Sequence, residues 1–236
     1  MIRFKPLPGF TFAALIMVAI LIGLGVWQLE RLKWKEGLIA TVSAHMTAAP
    51  VSLDRAMAMS ADDVQYRRVA LAGIFDNARE SYVFTTNAGG EPAYHVLTPL
   101  VTDDGKVMMV DRGEIPAEKL SPKTRTPVGG LTHIVGVWRV PDAPGWFTPK
   151  PDLAKHIWYA RDLLGIAAVQ DVRLSSPVVI EADASPNPGG WPKGGQTVVD
   201  FPNNHLQYAI TWFGLAAGLI GVYAAYHISK GRLGRA

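Results

Sequence analysis

The sequence predicts an α+β membrane protein in which two transmembrane helices flank an extracytoplasmic, antiparallel β-rich domain. Two observations support this fold class: a charge-free apolar stretch lies near each end of the chain, and short β-rich runs fill the block between them. The stretches cover Phe10 to Leu29, 20 residues, and Leu206 to Tyr226, 21 residues. At about 1.5 Å of rise per residue, each can cross a hydrocarbon core of roughly 30 Å.

This pattern divides the chain into six parts. We predict a cytoplasmic amino terminus at 1–9, a first transmembrane helix at 10–29, the β-rich domain at 30–182, a Pro- and Gly-rich linker at 183–205, a second transmembrane helix at 206–226 and a basic cytoplasmic tail at 227–236. The linker contains the sequence SPNPGGWPKGG, which holds neither helix nor strand periodicity.

The charges favour an orientation. All 20 acidic residues and 18 of the 23 basic ones lie between Glu30 and Asp200, so this block is nearly neutral and is not expected to bind nucleic acid. The other five basic residues flank the outer ends of the two spans, as the positive-inside rule expects for two cytoplasmic termini; they are Arg3, Lys5, Lys230, Arg232 and Arg235. If the first span is judged alone, Arg31, Lys33 and Lys35 on its far side balance the basic residues at the amino terminus. The basic residues that follow the second span decide the orientation.

A cleaved signal peptide is the alternative interpretation of the amino end. The apolar run is longer than the usual 7 to 15 residues of a signal peptide's apolar region, and only Gly23-x-Gly25 resembles a cleavage site. We therefore expect the first span to be retained. The nine residues before Phe10 are too few for a mitochondrial transit peptide, which favours a bacterial plasma membrane with the main domain in the periplasm.

The central block is predicted to form an antiparallel sheet or a partly open barrel with minor helix. Its β-rich runs are Tyr66 to Phe75, Ser81 to Thr86, Tyr94 to Val101, Lys106 to Arg112, Leu131 to Val140 and Pro177 to Ala182. Asp103-Asp104-Gly105 has the residues of a hairpin turn. Helices are predicted at Arg161 to Val169 and, less clearly, at Leu53 to Met59.

No motif of an enzyme occurs in this block. The chain has no cysteine, which excludes disulfides, thiolate metal sites and c-type haem attachment. His45, His95, His133 and His156 lack metal-ligand spacing, and no nucleophile elbow or P-loop is present. Adjacent acidic pairs such as Asp103-Asp104 are interpreted as solvated turn residues.

Polar and aromatic residues recur on one face of each span near the outer surface. On the first, Trp27, Arg31 and Trp34 are spaced i, i+4, i+7; on the second, His205, Tyr208 and Trp212 are spaced i, i+3, i+7. An interfacial aromatic belt explains this pattern, and so does a ligand pocket between the helices with His205 as a metal ligand. Gly214, Gly218 and Gly221 favour close packing of the two spans.

Six stretches together resemble the SURF1 (Surfeit locus protein 1) family over essentially the whole chain. They are GLGVWQLERLKWK (23–35), YRRVALAGIFD (66–76), HVLTPLVTDDGKVMMVDRG (95–113), GVWRVPDAPGWFTP (136–149), WYARDL (158–163) and NNHLQYAITWFGLA (203–216). The resemblance implies a non-enzymatic assembly factor for a haem–copper terminal oxidase, one that binds haem a and assists its insertion into the catalytic subunit. Expected partners are that subunit, membrane lipid and haem a synthase.

The same resemblance carries the family's haem-linked histidine onto His205 and a haem-linked tryptophan onto Trp212. Tyr208, Arg31, Trp27 and Gln28 are the further candidate cofactor-binding residues, with Arg31 for a propionate. His227, 22 residues beyond His205 and so roughly 33 Å away along a helix, is expected among the cytoplasmic anchor residues. Two alternatives remain open: a structural scaffold that binds an oxidase subunit without haem, and a membrane-anchored enzyme.

Overall fold

The computed structural model describes residues 2–141, 143–197, 199 and 201–235. The first and last residues of the predicted domains, Met1 and Ala236, lie outside the described residues, as do Asp142, Val198 and Asp200. The chain forms two compact units, one of Met1–Thr41 with Asp200–Ala236 and one of Val42–Val199. The fold is mixed, with a large β-sheet and a long apolar helix toward each end, as predicted at that level.

The described residues form five α-helices and ten β-strands. The helices are α1 (Pro8–Thr47), α2 (Leu53–Met57), α3 (Ala61–Val64), α4 (Leu163–Val169) and α5 (His205–Ser229). The strands are β1 (Ile2–Phe4), β2 (Val51–Ser52), β3 (Arg68–Phe75), β4 (Ser81–Thr86), β5 (Pro92–Val101), β6 (Val107–Pro116), β7 (Thr132–Arg139), β8 (Ile157–Trp158), β9 (Val179–Ala182) and β10 (Leu233–Arg235).

Helix α1 is much longer than the apolar span predicted within it. It begins at Pro8, since proline is well tolerated in the first helical turn, and it ends at Thr47, shortly before Pro50. After Leu29 the helix continues through ERLKWKEGL, where nearly every residue is a good helix former. Residues 30–47 are therefore helical where the sequence indicated the start of a β-rich block.

Helices α1 and α5 pack antiparallel in the first unit. The Thr11 hydroxyl lies 2.6 Å from the Tyr223 hydroxyl near one end, and Gln28 contacts His205 near the other. Gly25 lies between them against the Phe213 ring, where a Cβ atom would lie 2.6 Å from a ring carbon. The α5 residues Ala209 and Ala216 are buried, so small residues on both helices allow the approach.

The predicted glycine interface on α5 is wrong. A Cβ atom placed on Gly214, Gly218 or Gly221 would meet nothing within 4 Å, and all three residues are exposed. The spacing of the glycines predicted a packing face on α5, but it did not determine which face of α5 contacts α1. The alanine face of α5, rather than the glycine face, turns toward α1.

The second unit is built on a sheet that closes on itself. Its strand order is β2-β3-β7-β9-β6-β5-β4-β8, and an additional pairing of β3 with β5 completes a five-stranded ring, β3-β7-β9-β6-β5. Most neighbours are antiparallel, as predicted, and the hairpin between β5 and β6 turns at Gly105, whose φ is 80°. Three pairings are parallel instead: β2 with β3, β4 with β8, and β6 with β9.

Apolar side chains fill the ring and cover one of its outer faces. Inside lie Val69, Leu71, Leu100, Met108, Val110, Trp138 and Ile180. Outside, Leu163 and Ile166 of α4 pack on Leu97, Met109 and Val179. Alternate side chains of a strand point to opposite faces, so β6 is buried on both sides, and each large side chain contributes roughly 1.5–3 kcal/mol.

The Pro- and Gly-rich stretch is partly packed on this domain. Lys193 and Glu114 exchange two backbone hydrogen bonds, at 2.9 and 3.0 Å, and Gly195 N–H donates to the Ala182 carbonyl at 2.9 Å. Gly113 allows this contact, because its φ is 112° and a Cβ atom there would overlap the Lys193 carbonyl. At least residues 193–195 of the predicted linker therefore belong to the wall of the domain.

Candidate functional site

His205 is the first residue of α5, and a single side chain of α1 holds its ring. The sequence folds this way because Pro202 and two asparagines precede an uninterrupted run of helix-compatible apolar residues. The Nδ1 atom of His205 lies 2.8 Å from Oε1 of Gln28, which is itself 9% exposed. The structure thus brings together two of the six residues predicted for the site, 177 positions apart in sequence.

This hydrogen bond determines which histidine nitrogen is available. The amide oxygen of Gln28 is an acceptor only, so Nδ1–H of His205 must be the donor. In the neutral ring the lone pair then lies on Nε2, which makes no hydrogen bond to any described residue. A metal-ligating histidine is held in the same way, with its other ring N–H donated to a fixed acceptor.

The remaining predicted residues surround this pair without contacting it by hydrogen bonds. Arg31 lies one turn beyond Gln28; its guanidinium carbon is 4.2 Å from the centroid of the Trp34 ring, and it pairs with no described carboxylate. Trp27 and Tyr208 are about half exposed. Trp212 is partly buried, and its indole Nε1–H is buried without an acceptor among the described residues.

His227 lies at the other end of α5, in an environment that the sequence did not predict. It is fully buried, and the rings of Phe4, Phe10, Tyr223 and Tyr226 surround it at centroid distances of 4.1–6.0 Å. Its Nδ1–H donates to the Tyr223 carbonyl at 2.9 Å. The sequence predicted a place for His227 among the cytoplasmic anchor residues, but it did not predict this burial among aromatic side chains of both chain ends.

A cavity of about 340 Å³ lies near this end, lined by apolar groups that include Ala14, Val18 and Leu219. Leu219 is 14 residues from His205, or roughly 21 Å along the helix. The cavity is therefore separate from the His205 site.

Sequence reasoning missed a charged network in the β-rich domain. The Asp111 carboxylate, 2% exposed on β6, accepts hydrogen bonds from Arg161 at 3.0 Å, from Gly113 N–H at 3.0 Å and from Nδ1 of His95. Burial raises the pKa of Asp111, but hydrogen bonding and charge from His95 and Arg161 outweigh it, so its pKa lies below the usual value. Two adjacent charged residues, Asp111 and Arg112, directly after the apolar run that ends at Val110 were the available signal.

Comparison with known proteins identifies the family. The SURF1 family profile matches residues 15–217. The chain is 34% identical over 234 residues to Surfeit locus protein 1 of Takifugu rubripes, covering 92% of this chain and 96% of that protein. It is 34% identical over 213 residues to the Homo sapiens protein, covering 83% and 70% of the two chains, and 30% identical over 216 residues to a SURF1-like protein of Rickettsia felis, covering 90% and 94%.

The chain belongs to the SURF1 family. The resemblance predicted from the six stretches is confirmed, and the profile match includes both Gln28 and His205.

The side chains around His205 in this SURF1 family member fit a haem. Haem iron accepts an axial protein ligand, for which a histidine nitrogen is suitable, and the carboxylates of a haem accept hydrogen bonds from donors. Nε2 of His205 is such a ligand, while Arg31 has no described counter-ion and Trp212 Nε1–H has no described acceptor. The described residues contain no group of three or more His, Asp or Glu side chains that could hold a bare metal ion instead.

Proposed function

We propose that this SURF1 family member assists assembly of a haem–copper terminal oxidase, cytochrome c oxidase, by holding haem a and passing it to the catalytic subunit. The observation that carries this function is the hydrogen bond from His205 to Gln28, because it holds the imidazole with the Nε2 lone pair available. Haem a is cargo here, and the iron chemistry belongs to the oxidase that receives it.

Each candidate residue then has a role in holding the cargo. His205 ligates the iron, and Gln28 orients the ring of His205. Arg31 binds a propionate, and Trp212 donates its indole N–H to an oxygen of the ligand. Trp27 and Tyr208 supply apolar walls at the membrane interface.

The location proposed for the protein is a bacterial plasma membrane, crossed twice, with both termini in the cytoplasm and the β-rich domain in the periplasm. Two helices long and apolar enough to cross a bilayer support this, since almost none of their apolar windows is buried within the protein. The basic residues outside both spans support the orientation. Haem a synthase and membrane lipid are the further partners in this scheme.

Haem content tests the carrier function. The wild-type protein, His205→Ala and Trp212→Ala would be purified in detergent from cells that make haem a, and bound haem would be identified by its absorption spectrum. His133→Ala is the matched control, because His133 is exposed on β7. We expect haem a in the wild type and in His133→Ala, less in Trp212→Ala and none in His205→Ala.

Oxidase activity of the same membranes separates the carrier from the scaffold. A carrier requires activity to fall together with haem content in His205→Ala. Undiminished haem and activity in that variant would instead leave the protein as a scaffold that binds an oxidase subunit without carrying haem.

A further inference from the structure

The β-rich domain contains a second charged pocket that the haem site does not use. It is a cavity of about 190 Å³ between the end of β7, the residues before α4 and strand β9. Arg139, Arg161 and Glu181 supply the charged groups among its described lining residues, and Pro141, Ala143, Gly145 and Thr148 form part of its wall. Three of the stretches that carry the family resemblance contribute here: described residues of 136–149 and of 158–163 line the cavity, and 95–113 supplies Asp111, which contacts Arg161.

The two arginines have more donors than their neighbours accept. Arg161 donates one hydrogen bond to Asp111 at 3.0 Å and lies 3.9 Å from Glu181, while Nε of Arg139 lies 3.7 Å from the same Glu181 oxygen, too far for a hydrogen bond. The Nε atoms of both arginines are buried and lack a partner among the described residues. A buried donor without an acceptor is costly, so this arrangement is suited to an added oxyanion.

Arg139 is positioned before any ligand arrives. Its guanidinium carbon lies 4.4 Å from the centroid of the Tyr66 ring, and the backbone of Tyr66 adopts a φ of 64°, which is uncommon for a residue other than glycine. Stacking on an aromatic ring leaves the edge of the guanidinium free for a bidentate contact.

Charge favours a carboxylate over a phosphate. Arg139 and Arg161 are balanced by Glu181 and Asp111, so the formal charges of these four groups sum to zero. Binding of a carboxylate would give the pocket a net charge of −1, whereas binding of a doubly charged phosphate would give it a net charge of −2. A guanidinium group can bind a planar carboxylate through two parallel hydrogen bonds, and the pocket offers two such groups. This geometry also suits a carboxylate.

The rim of the pocket indicates what kind of molecule bears that carboxylate. Trp146 and Phe147, on the segment that forms the wall, are 94% and 93% exposed. Leu164, at 70%, is the next most exposed large hydrophobic side chain among the described residues. Tryptophan and arginine are enriched at the energetic centres of protein interfaces. An apolar, aromatic rim beside an arginine pocket therefore fits a protein segment better than a free small anion.

We propose that the Arg139–Arg161 pocket and its Trp146–Phe147 rim form a docking site for a partner protein. The partner segment places one Asp or Glu carboxylate between the two guanidinium groups and packs apolar side chains on Trp146 and Phe147. This docking site lies wholly within the β-rich domain. It is independent of haem binding at His205 and stands if the haem function fails.

Site-specific crosslinking in native membranes tests the docking site. The photoreactive amino acid p-benzoylphenylalanine would replace Phe147 in the full-length protein, and crosslinked peptides would be mapped by mass spectrometry. Leu131 is the matched control position: it is 63% exposed and precedes the opposite end of β7, roughly 26 Å from Arg139 along the strand. We expect position 147, and not 131, to crosslink to one protein segment containing an Asp or Glu.

Two variants examine the pocket and the rim separately. Arg139→Gln removes the charge, and Trp146→Ser removes an exposed side chain whose loss leaves the core intact; each is expected to lower the crosslink yield about tenfold or more. Reversing the mapped carboxylate to Lys should abolish crosslinking, and Arg139→Glu should restore it. Any of four results would overturn the docking site. These are crosslinks to lipid alone, equal crosslink yields at positions 147 and 131, no crosslink at all, and crosslink yields that are unchanged in both variants.

Discussion

At the scale of single residues, the contact between His205 and Gln28 is the most informative one for function. One hydrogen bond of 2.8 Å orients a ring that would otherwise be free to rotate at the start of a helix. The acceptor lies on a different helix, so the orientation depends on the packing of α1 with α5. In the proposed function, Gln28 is thus a positioning residue: it orients the His205 ring and does not itself contact the iron.

Replacing Gln28 tests this orientation directly. Gln28→Leu keeps the approximate volume but removes the acceptor, so we expect haem affinity to fall roughly 10–100-fold, as for other residues that orient a metal ligand. Gln28→Glu retains an acceptor and should retain binding. Haem titration of the purified protein measures both. Gln207→Leu, at an exposed position of α5, is the control, and an unchanged affinity in Gln28→Leu would contradict the role.

Asp111 is the corresponding key residue of the β-rich domain. Its pKa is lowered in the folded state because favourable contacts with His95 and Arg161 outweigh burial. Such a group contributes stability that is fully present above its unfolded pKa of about 3.9 and is lost as the pH falls through the lower folded value. At neutral pH the carboxylate therefore stabilises the domain.

Asp111→Asn is expected to lower the free energy of unfolding by about 2 kcal/mol at pH 7, since it removes the buried negative charge that Arg161 and His95 contact; the Arg161 side chain is 30% exposed, so solvent screens part of the loss. The difference from wild type should shrink as the pH falls below about 4. Urea unfolding in detergent, followed by the fluorescence of the buried tryptophans, measures it. Asp103→Asn, in the exposed hairpin turn, should change stability by less than about 0.5 kcal/mol. If the unfolding free energies of wild type and Asp111→Asn differed by the same amount at all pH values, this explanation of the role of Asp111 would be contradicted.

At the scale of secondary-structure elements, the packing of the 193–195 stretch on β6 depends on a close backbone approach. Gly113 and Gly105 both have positive φ, 112° and 80°, but only Gly113 faces another chain segment. Alanine at either position incurs the backbone strain, and at Gly113 its Cβ would also overlap the Lys193 carbonyl. The comparison of the two variants isolates the steric part.

Gly113→Ala is therefore expected to lose about 1–3 kcal/mol more unfolding free energy than Gly105→Ala. It should also expose the 183–197 stretch to limited proteolysis, which mass spectrometry of the fragments would detect. Equal stability and equal cleavage of the two variants would mean that the stretch does not depend on this contact.

The sequence predicted elements well where the relevant signal was local. The runs that became β3, β4, β5, β7 and β9 alternate or cluster apolar residues within a few positions, and the β5–β6 turn carries its own glycine. It ended β6 at Arg112, because Gly113 and Glu114 interrupt the apolar run. The strand continues to Pro116 through pairing with β5 and through the backbone hydrogen bonds between Glu114 and Lys193, which is distant in sequence. Parallel partners such as β8, and the direction of the glycine face on α5, also depend on distant packing.

The candidate site divides in the same way. Helical spacing placed His205, Tyr208 and Trp212 together, and the family resemblance indicated His205 and Trp212. The sequence analysis also named Gln28 for this site, but as a cofactor-binding residue; its role as the acceptor for the His205 ring, 177 residues away, could only be seen in three dimensions. The charged network around Asp111 was missed for the same reason, since its members come from three parts of the chain, at His95, at Asp111 with Gly113, and at Arg161.

At the scale of the whole molecule, the chain combines two units whose surfaces differ in character. The first is a pair of apolar helices whose outward faces carry many exposed large hydrophobic side chains, including Leu15, Ile20, Ile210 and Val222. In water such faces would cost roughly 25 cal/mol for each Å² of apolar surface, whereas lipid removes that cost. The second unit has its own closed core, so the chain combines a pair of apolar helices suited to a bilayer with a folded domain.

The absence of cysteine makes the topology directly testable. Single substitutions Leu131→Cys, in the β-rich domain, and Lys230→Cys, after α5, each introduce one exposed thiol into an otherwise unreactive chain. Because the five basic residues outside the spans favour cytoplasmic termini, a membrane-impermeant maleimide should label Leu131→Cys in intact spheroplasts. Lys230→Cys should react only after the membrane is permeabilised. Labelling of both before permeabilisation would place the two positions on one side, which a chain that crosses the bilayer with α5 does not allow.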